Sequence, residues 1–309
     1  HTIARVRNPE YYTQVDFLRQ TLGIDMFVNP ELEAAFEIER MIRFPEALKV
    51  ERFAKGRVDL IELKIYKGHY LEGRQLSSLR GPSADNIIVC AVQRADEVII
   101  PSGEFVIEAG DHLHITAPHA DLTKLFKNLQ IQVKKIKTVL LIGGGKITYY
   151  LAKRLLKLGM SVKIIEIDRD RCEYLSGALP KASVIYGDGT DSDLLQDEGI
   201  ASVDACVSLT GNDEENILIS LFAGTKEVDK TITKIKRISF YGLLSKISYE
   251  GSVVSPVFAT AYDILRFVRA TENAQDSSLN TLYKIVDNKA EVIEFTVTRD
   301  FAGIDVALK

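Results

Sequence analysis

Val139-Leu140-Leu141-Ile142 is an uninterrupted apolar run, and Gly143-Gly144-Gly145 follows it at once. A run without alternation predicts a central parallel strand buried on both faces. Beyond it, Ile147, Leu151, Leu155 and Leu158 recur at helical spacing. Further strands are predicted at Val162–Ile165, Ser183–Tyr186 and Ala205–Leu209, with helical stretches between them. Residues 134–270 therefore read as a doubly wound, Rossmann-type α/β domain with a parallel sheet. The pattern over 46–133 is different. Strand-like runs fall at Asp59–Tyr66, Asn86–Gln93, Glu97–Ile100 and His112–Thr116, with turns at Gly103, Gly110 and Asp111. Helices are predicted at Leu71–Leu79 and Leu122–Leu129, which makes this a small α+β domain. The polar stretch from Thr271 to Ser278 reads as a linker.

The same patterns occur twice. Thr2-Ile3-Ala4-Arg5-Val6-Arg7 resembles Thr231-Ile232-Thr233-Lys234-Ile235-Lys236, and Tyr11-Tyr12 resembles Phe240-Tyr241. Val28-Asn29-Pro30 resembles Val254-Ser255-Pro256, each Pro opening a helical stretch, Glu31–Arg43 and Val257–Arg269. Asp59-Leu60-Ile61-Glu62-Leu63 resembles Glu291-Val292-Ile293-Glu294-Phe295. The repeating unit is about 230 residues long. Residues 1–45 are then expected to be the last part of a first Rossmann unit and 46–133 its small domain. Residues 134–270 form a second, complete Rossmann unit, and 271–309 are a linker and the start of a second small domain. The tandem repeat is expected to be cut at both ends, with the missing strands supplied by a longer chain or by another chain.

A net charge of −4 and a pI near 5.9 lack the basic excess of a nucleic-acid binder. The apolar runs are far shorter than the ~20 residues of a membrane-spanning helix, so direct membrane insertion is not expected. Cys90, Cys172 and Cys206 are far apart, which suggests a reducing compartment without a disulfide framework. Cys90 and Cys206 fall inside apolar runs and are expected to be small buried hydrophobes.

The chemistry is concentrated after the first strand of the complete unit. Gly143 permits a sharp turn, Gly145 lets a diphosphate approach the backbone, and the following helix offers its free N–H groups and positive dipole to the anion. Thr148 stands where a third glycine normally allows close helix–strand packing, so the helix is expected to shift outward slightly or be tolerated by small neighbours. Glu166 ends the second strand, at the spacing of the acid that binds ribose hydroxyls and repels a 2′-phosphate. NAD(H) or an adenine nucleotide is thus favoured over a 2′-phosphorylated cofactor. Gly187-Asp188-Gly189-Thr190 and Thr210-Gly211-Asn212-Asp213 place small polar residues at two more strand carboxyl ends, where ligands bind in open α/β sheets.

These residues resemble the TrkA-type regulatory subunits of potassium uptake systems, built from RCK (or KTN) domains. The resemblance rests on the glycine turn with Glu166, on Gly187-Asp188-Gly189-Thr190, and on Thr210-Gly211-Asn212-Asp213-Glu214-Glu215-Asn216. Pro101-Ser102-Gly103 to Ala109-Gly110-Asp111 adds the look of an RCK C-terminal subdomain. It implies a nucleotide-binding subunit on the cytoplasmic face of a membrane potassium transporter, assembled as a homo-dimer or tetramer, without catalytic residues. It also implies nucleotide contacts from Gly143, Gly144, Gly145, Lys146, Ile147, Glu166, Asp188, Thr210 and Gly211, with NAD(H) or ATP/ADP as ligand. Arg5 matches a strand-end Arg that lies near the phosphates in the family. Its counterpart Lys234 keeps the charge but not the planar fork.

The rival reading is an NAD-dependent oxidoreductase with its substrate between domains. It needs a proton donor or acceptor near the hydride. His1, His69, His112, His114 and His119 all lie outside 134–270. Tyr149 and Lys153 have the spacing of a Tyr/Lys acid–base pair but sit on the helix directly after the glycine turn. A scaffold that binds nothing is the third reading. His112 and His114 share one strand face with Asp111 and Glu108 nearby, and a solvated face is expected there. Lys134-Lys135-Ile136-Lys137 reads as a solvated basic linker.

Overall fold

The computed structural model describes residues 2–8, 11, 14–45, 47–53, 57–79, 87–95, 97–118, 121–122, 124, 135–237, 239–240, 243–244, 251–273, 279–285, 290–295 and 297. The chain opens with β1 (Ile3–Arg5), α1 (Val15–Leu22), β2 (Met26–Val28) and α2 (Pro30–Arg43). The small sheet follows, with β3 (Ala47–Phe53), β4 (Val58–Lys64), β5 (Ile88–Arg94), β6 (Glu97–Ile99) and β7 (His112–Pro118), in the order β3-β4-β7-β5-β6 and antiparallel throughout. Next come β8 (Thr138–Ile142), α3 (Lys146–Lys157), β9 (Ser161–Glu166), α4 (Arg169–Ala178), β10 (Ser183–Tyr186) and α5 (Ser192–Asp197). The unit ends with β11 (Ala205–Ser208), α6 (Asp213–Thr225), β12 (Lys230–Lys234) and β13 (Ser252–Val254). These strands form one parallel sheet in the order β10-β9-β8-β11-β12-β13. That is the Rossmann order, and the chain reverses direction across the sheet between β8 and β11. The chain then runs through α7 (Pro256–Asn273) into an antiparallel hairpin, β14 (Leu279–Ile285) and β15 (Ala290–Phe295).

The repeat seen in the sequence is repeated in register. Arg5 pairs with Val28 in β1–β2, and Lys234 pairs with Val254 in β12–β13. Phe53 pairs with Val58 and Ile285 with Ala290. The irregularity in β3 between Ala47 and Lys49 recurs in β14 between Leu279 and Thr281.

Helix α2 shows how the two units join. Asn29 caps it by accepting the Leu32 N–H at 3.0 Å, Pro30 occupies its first turn, and Arg40 and Arg43 complement its C-terminal dipole. Its buried face, Ala34, Ala35, Ile38, Met41 and Ile42, enters the core of the second Rossmann unit beside Val139, Leu141, Leu151 and Leu155. The Asn29 amide donates to the Tyr150 hydroxyl at 3.1 Å, Glu39 pairs with Arg154, and the Arg154 guanidinium lies 4.2 Å from the Phe36 ring centre. A second core, with Ile61, Leu63, Ile65, Leu113 and Ile115, lies under the small sheet.

Several expectations change. Leu71–Leu79 is not an α-helix: turns lead to a short 3-10 segment at Leu76–Leu79. Gly73 adopts φ +76°, and the segment exchanges backbone hydrogen bonds with Gly103–Ile107, which takes the amides a helix would need. Thr271, Glu272 and Asn273 are the last turn of α7, not linker; 274–278 lie outside the described residues. Of Leu122–Leu129, Leu122 and Lys124 are helical and the rest lies outside the described residues. His114 is buried, not solvated, and His112 pairs with Glu62 at 2.7 Å. The reason is that Ala290 and Val292 of β15 pack over Leu60 and Ala91 on that face. Asp111 is also buried, held by Arg94 at 2.7 Å. In the basic stretch Ile136 is buried. Cys206 is fully buried and its thiol is pushed up to about 12, whereas Cys90 is only half-buried. No helix among the described residues is long and apolar enough to cross a membrane.

Because α2 fills the core of the second unit, Ile38→Ala is expected to destabilise the chain by about 2–5 kcal/mol. Urea unfolding of the full chain measures this, and an unchanged midpoint would show that α2 is not anchored there.

Candidate functional site

The site is built at the carboxyl ends of β8 and β11, on either side of the switch point. β8 stops at Ile142, and Gly143 turns with φ +96°. A Cβ at Gly143 would also lie 2.9 Å from the backbone of Leu209 and Thr210, so glycine is required both by conformation and by the approach of β11. A Cβ at Gly144 would meet Leu175 at 2.7 Å and Glu166 at 2.8 Å. Gly145, by contrast, faces open space. It occupies the N-cap of α3, and no side chain caps that helix. The first-turn amides, Lys146 and Ile147 among them, therefore lack the intrahelical partners that later residues have.

The third-glycine position is resolved by chemistry. Thr148 is fully buried, and its hydroxyl donates to the Gly143 carbonyl. It ties the helix to the turn instead of pushing it outward.

Glu166 ends β9 beside this turn. One carboxylate oxygen accepts the Gly144 N–H and the other accepts the Asp168 N–H at 2.8 Å. Arg171, in the first turn of α4, donates from Nε to the Gly144 carbonyl at 2.5 Å and from a terminal nitrogen to the Gly145 carbonyl at 3.3 Å. Its guanidinium lies 4.7 Å from the centre of the Tyr174 ring. Sequence reasoning missed Arg171. The available signal was a cation in the first turn of a helix, where the dipole opposes it.

The remaining expected residues divide. Thr210 adjoins Gly143, and its N–H is fixed by the Asn216 side chain at 2.8 Å. Gly211 is exposed next to it, and its carbonyl accepts from Lys236 at 2.8 Å. Asp188 follows β10, but its carboxylate accepts from the Thr190 N–H at 2.9 Å and hydroxyl at 2.7 Å, which holds it below the usual carboxylate range. One of its oxygens, Oδ1, is engaged within its own turn. Lys234 is nearly buried, and its ammonium donates to the Leu209 carbonyl at 3.0 Å and to the Thr210 carbonyl. The charge thus braces the end of β11. Behind it lies a buried network that sequence reasoning did not assemble. Ser208 bonds to Ser220 at 2.8 Å, Thr233 to Ser220 at 2.5 Å, and the Asn216 amide to the Lys234 carbonyl at 3.0 Å. Asp213 accepts the N–H groups of Lys236 and Arg237. In the first unit Arg5 is half exposed and reaches Glu31 at 3.5 Å. Among the described residues no His, Cys, Asp and Glu cluster could hold a metal.

Burial lowers Lys234 to about 8, with the Lys236 charge adding to the effect. Its folded value lies below the unfolded one, so between those values the native state binds fewer protons than the unfolded chain. Stability then rises with pH over that window. Relative to Lys234→Met, the wild-type chain is expected to gain stability as pH rises from about 8 toward 10.5, with no such trend below about 8. Urea unfolding at stepped pH checks this, and a difference that falls instead would show that the site favours the ammonium.

Comparison with known proteins fits these parts to a family. The model of the TrkA-N domain matches residues 139–256 and that of the TrkA-C domain matches 60–130. The chain is 34% identical over 298 residues to a protein of Methanosarcina mazei, "Trk system potassium uptake protein trkA homolog 1", covering 96% of this chain and 71% of that protein. It is 35% identical over 271 residues to "Trk system potassium uptake protein TrkA" of Haemophilus influenzae, covering 86% of this chain and 58% of the relative. The chain thus spans between 58% and 71% of the length of these two relatives. Among solved structures, the GsuK RCK domain is similar in fold, with a TM-score of 0.60 at 17% identity, covering 91% of this chain and 59% of the other. The GsuK channel bound to NAD matches with a TM-score of 0.60 at 18% identity, covering 88% of this chain and 47% of the other. The chain therefore belongs to the TrkA family of potassium-uptake proteins.

Proposed function

We propose that this chain is a nucleotide-sensing regulatory subunit. NAD(H) binds at the glycine turn, and its occupancy gates a membrane potassium transporter to which the subunit docks on the cytoplasmic face. The observation that carries the reading is the pairing of uncapped amides at the head of α3 with the Glu166 carboxylate beside the glycine turn. The amides and helix dipole suit a diphosphate, and the carboxylate suits the hydroxyls of an adenosine ribose. Gly143, Gly144, Gly145, Lys146, Ile147 and Glu166 form the proposed contacts. Thr210 and Gly211 form the opposite lip, and Lys234 supports that lip. Asp188, whose bonds to Thr190 both use Oδ1, is proposed to contact ligand through Oδ2. The family membership and the NAD bound to the GsuK channel, which is similar in fold, support NAD(H) over other nucleotides. ATP and ADP share the diphosphate and adenosine that these groups recognise.

What surrounds the site supports a regulatory role. The helix that presents the amides, α3, is held on its other side by α2, which leads directly into the small sheet. A ligand that favours one position of α3 over another shifts the equilibrium of both units, provided it binds the two states with different affinity. Assembly as a homo-dimer or tetramer would let several such sites act on one transporter. The Tyr149 and Lys153 side chains lie together on α3, with the ammonium 5.7 Å from the ring centre, and the proposal gives them no catalytic part.

Isothermal titration of the chain with NADH, NAD, ATP and ADP tests the reading. Saturable one-site heat is expected with NADH, and no heat with any of them would leave a scaffold that binds nothing. Steady consumption of NADH with a panel of carbonyl compounds would establish the oxidoreductase reading instead.

Glu166→Ala is expected to weaken NADH by about tenfold or more, the typical worth of hydrogen bonds to a charged group. The same titration reads this, and equal affinity in the variant would remove Glu166 from the ribose contact.

A further inference from the structure

Arg171 lies outside the residues that the glycine motif and its acid define, yet it makes two of the hydrogen bonds that shape the turn. The chain contains no cis peptide bond among the described residues. In a trans peptide the C=O and N–H of one unit point in opposite directions. The Gly144 carbonyl shares its peptide with the Gly145 N–H, and the Gly145 carbonyl shares its peptide with the Lys146 N–H. A guanidinium that holds both carbonyls on one side therefore sends both N–H groups to the other, and no side chain caps the helix there.

We infer that Arg171 is the positioning residue for the diphosphate. It aims the Gly145 and Lys146 amides at the anion without touching the anion itself. The inference rests on the proposed nucleotide site and adds a part to it. The other peptides of the turn are already fixed. Gly143 donates its N–H to the Ile165 carbonyl at 2.8 Å, its carbonyl accepts from Thr148, and the Gly144 N–H goes to Glu166. The two peptides left for an anion are held by Arg171 on the carbonyl side, the second of them together with the ordinary helical bond from Tyr149.

The residue type matters for two reasons. A planar fork spans two adjacent carbonyls, whereas an ammonium is a point donor. A cation on the carbonyl oxygens also polarises the peptides and strengthens the N–H groups as donors. Three features keep the fork in place. The Tyr174 ring lies beneath the guanidinium, Asp168 accepts the Arg171 N–H at 3.0 Å, and Asp168 is itself fixed through its N–H to Glu166. The acid that reads the ribose and the cation that aims the amides are thus parts of one short strand-to-helix connection.

The test separates diphosphate from adenosine recognition. The full chain, Arg171→Met and Arg171→Lys are titrated with ADP and with adenosine. Arg171→Met is expected to weaken ADP by about tenfold or more, with the Lys variant between it and the wild type. Adenosine, which has no diphosphate and is held through Glu166, is expected to keep its affinity in both variants. An unchanged ADP affinity in Arg171→Met overturns the inference, as does an equal loss for adenosine and ADP, which would mark Arg171 as a general support of the fold. If Arg171→Met does not fold, the ratio of ADP to adenosine affinity in Arg171→Lys decides the question in the same way. A wild-type chain that binds neither ligand would instead remove the nucleotide site itself.

Discussion

The amides at the head of α3 have no side-chain cap, while every other polar group in the glycine turn is already bonded. Gly143 is pressed against the backbone at the end of β11, where no Cβ fits. Thr148, Glu166 and Arg171 take the remaining carbonyls and the Gly144 N–H. The turn is thereby preorganised before any ligand arrives. An anion that meets such amides has no conformational reorganisation to drive, so most of the interaction is available for affinity. The site depends on this accounting more than on any single side chain.

The end of β11 is the second fixed point. Lys234 is held there by two carbonyls, with Asn216 and the Ser208–Ser220–Thr233 network behind it. A buried polar network of this kind is costly unless fully satisfied, and satisfied it specifies one arrangement. It fixes the lip that faces the glycine turn. On the other side of α3, the first-half helix α2 replaces solvent with Ala34, Ala35, Ile38, Met41 and Ile42. The helix that follows the glycine turn is therefore also the joint between the two repeats. Beyond α2, Phe44 and Ala47 belong to the core under the small sheet, so the helix packs against one unit and leads into the other.

Much of the fold could be read in the residues because local patterns suffice for it. The unalternating Val139–Ile142 run meant a strand buried on both faces, and it lies at the centre of the sheet. The repeat was legible in short matches such as Val28-Asn29-Pro30 with Val254-Ser255-Pro256, and it reappears in strand register. What could not be read depended on contacts distant in sequence. Leu71–Leu79 has helical spacing, but its amides bond to Gly103–Ile107. His114 alternates as if half-solvated, but β15 covers its face. At the third-glycine position, spacing predicts a helix shifted outward or tolerated by small neighbours, and it does not display the hydrogen bond by which the Thr148 hydroxyl ties the helix to the turn. Within the site, the glycine turn and Glu166 were legible because motif spacing is a local property. Arg171 and the network behind Lys234 were not, because their roles are defined by backbone carbonyls that the sequence does not display. The local bonds from Thr190 to one oxygen of Asp188 are likewise not displayed by the motif.

A crystal structure of the chain soaked with NADH tests the central claim most directly. The account expects diphosphate density against the amides of Gly145, Lys146 and Ile147, with the adenosine ribose on Glu166. Nucleotide density elsewhere, with the glycine turn left empty at saturating NADH, would contradict it.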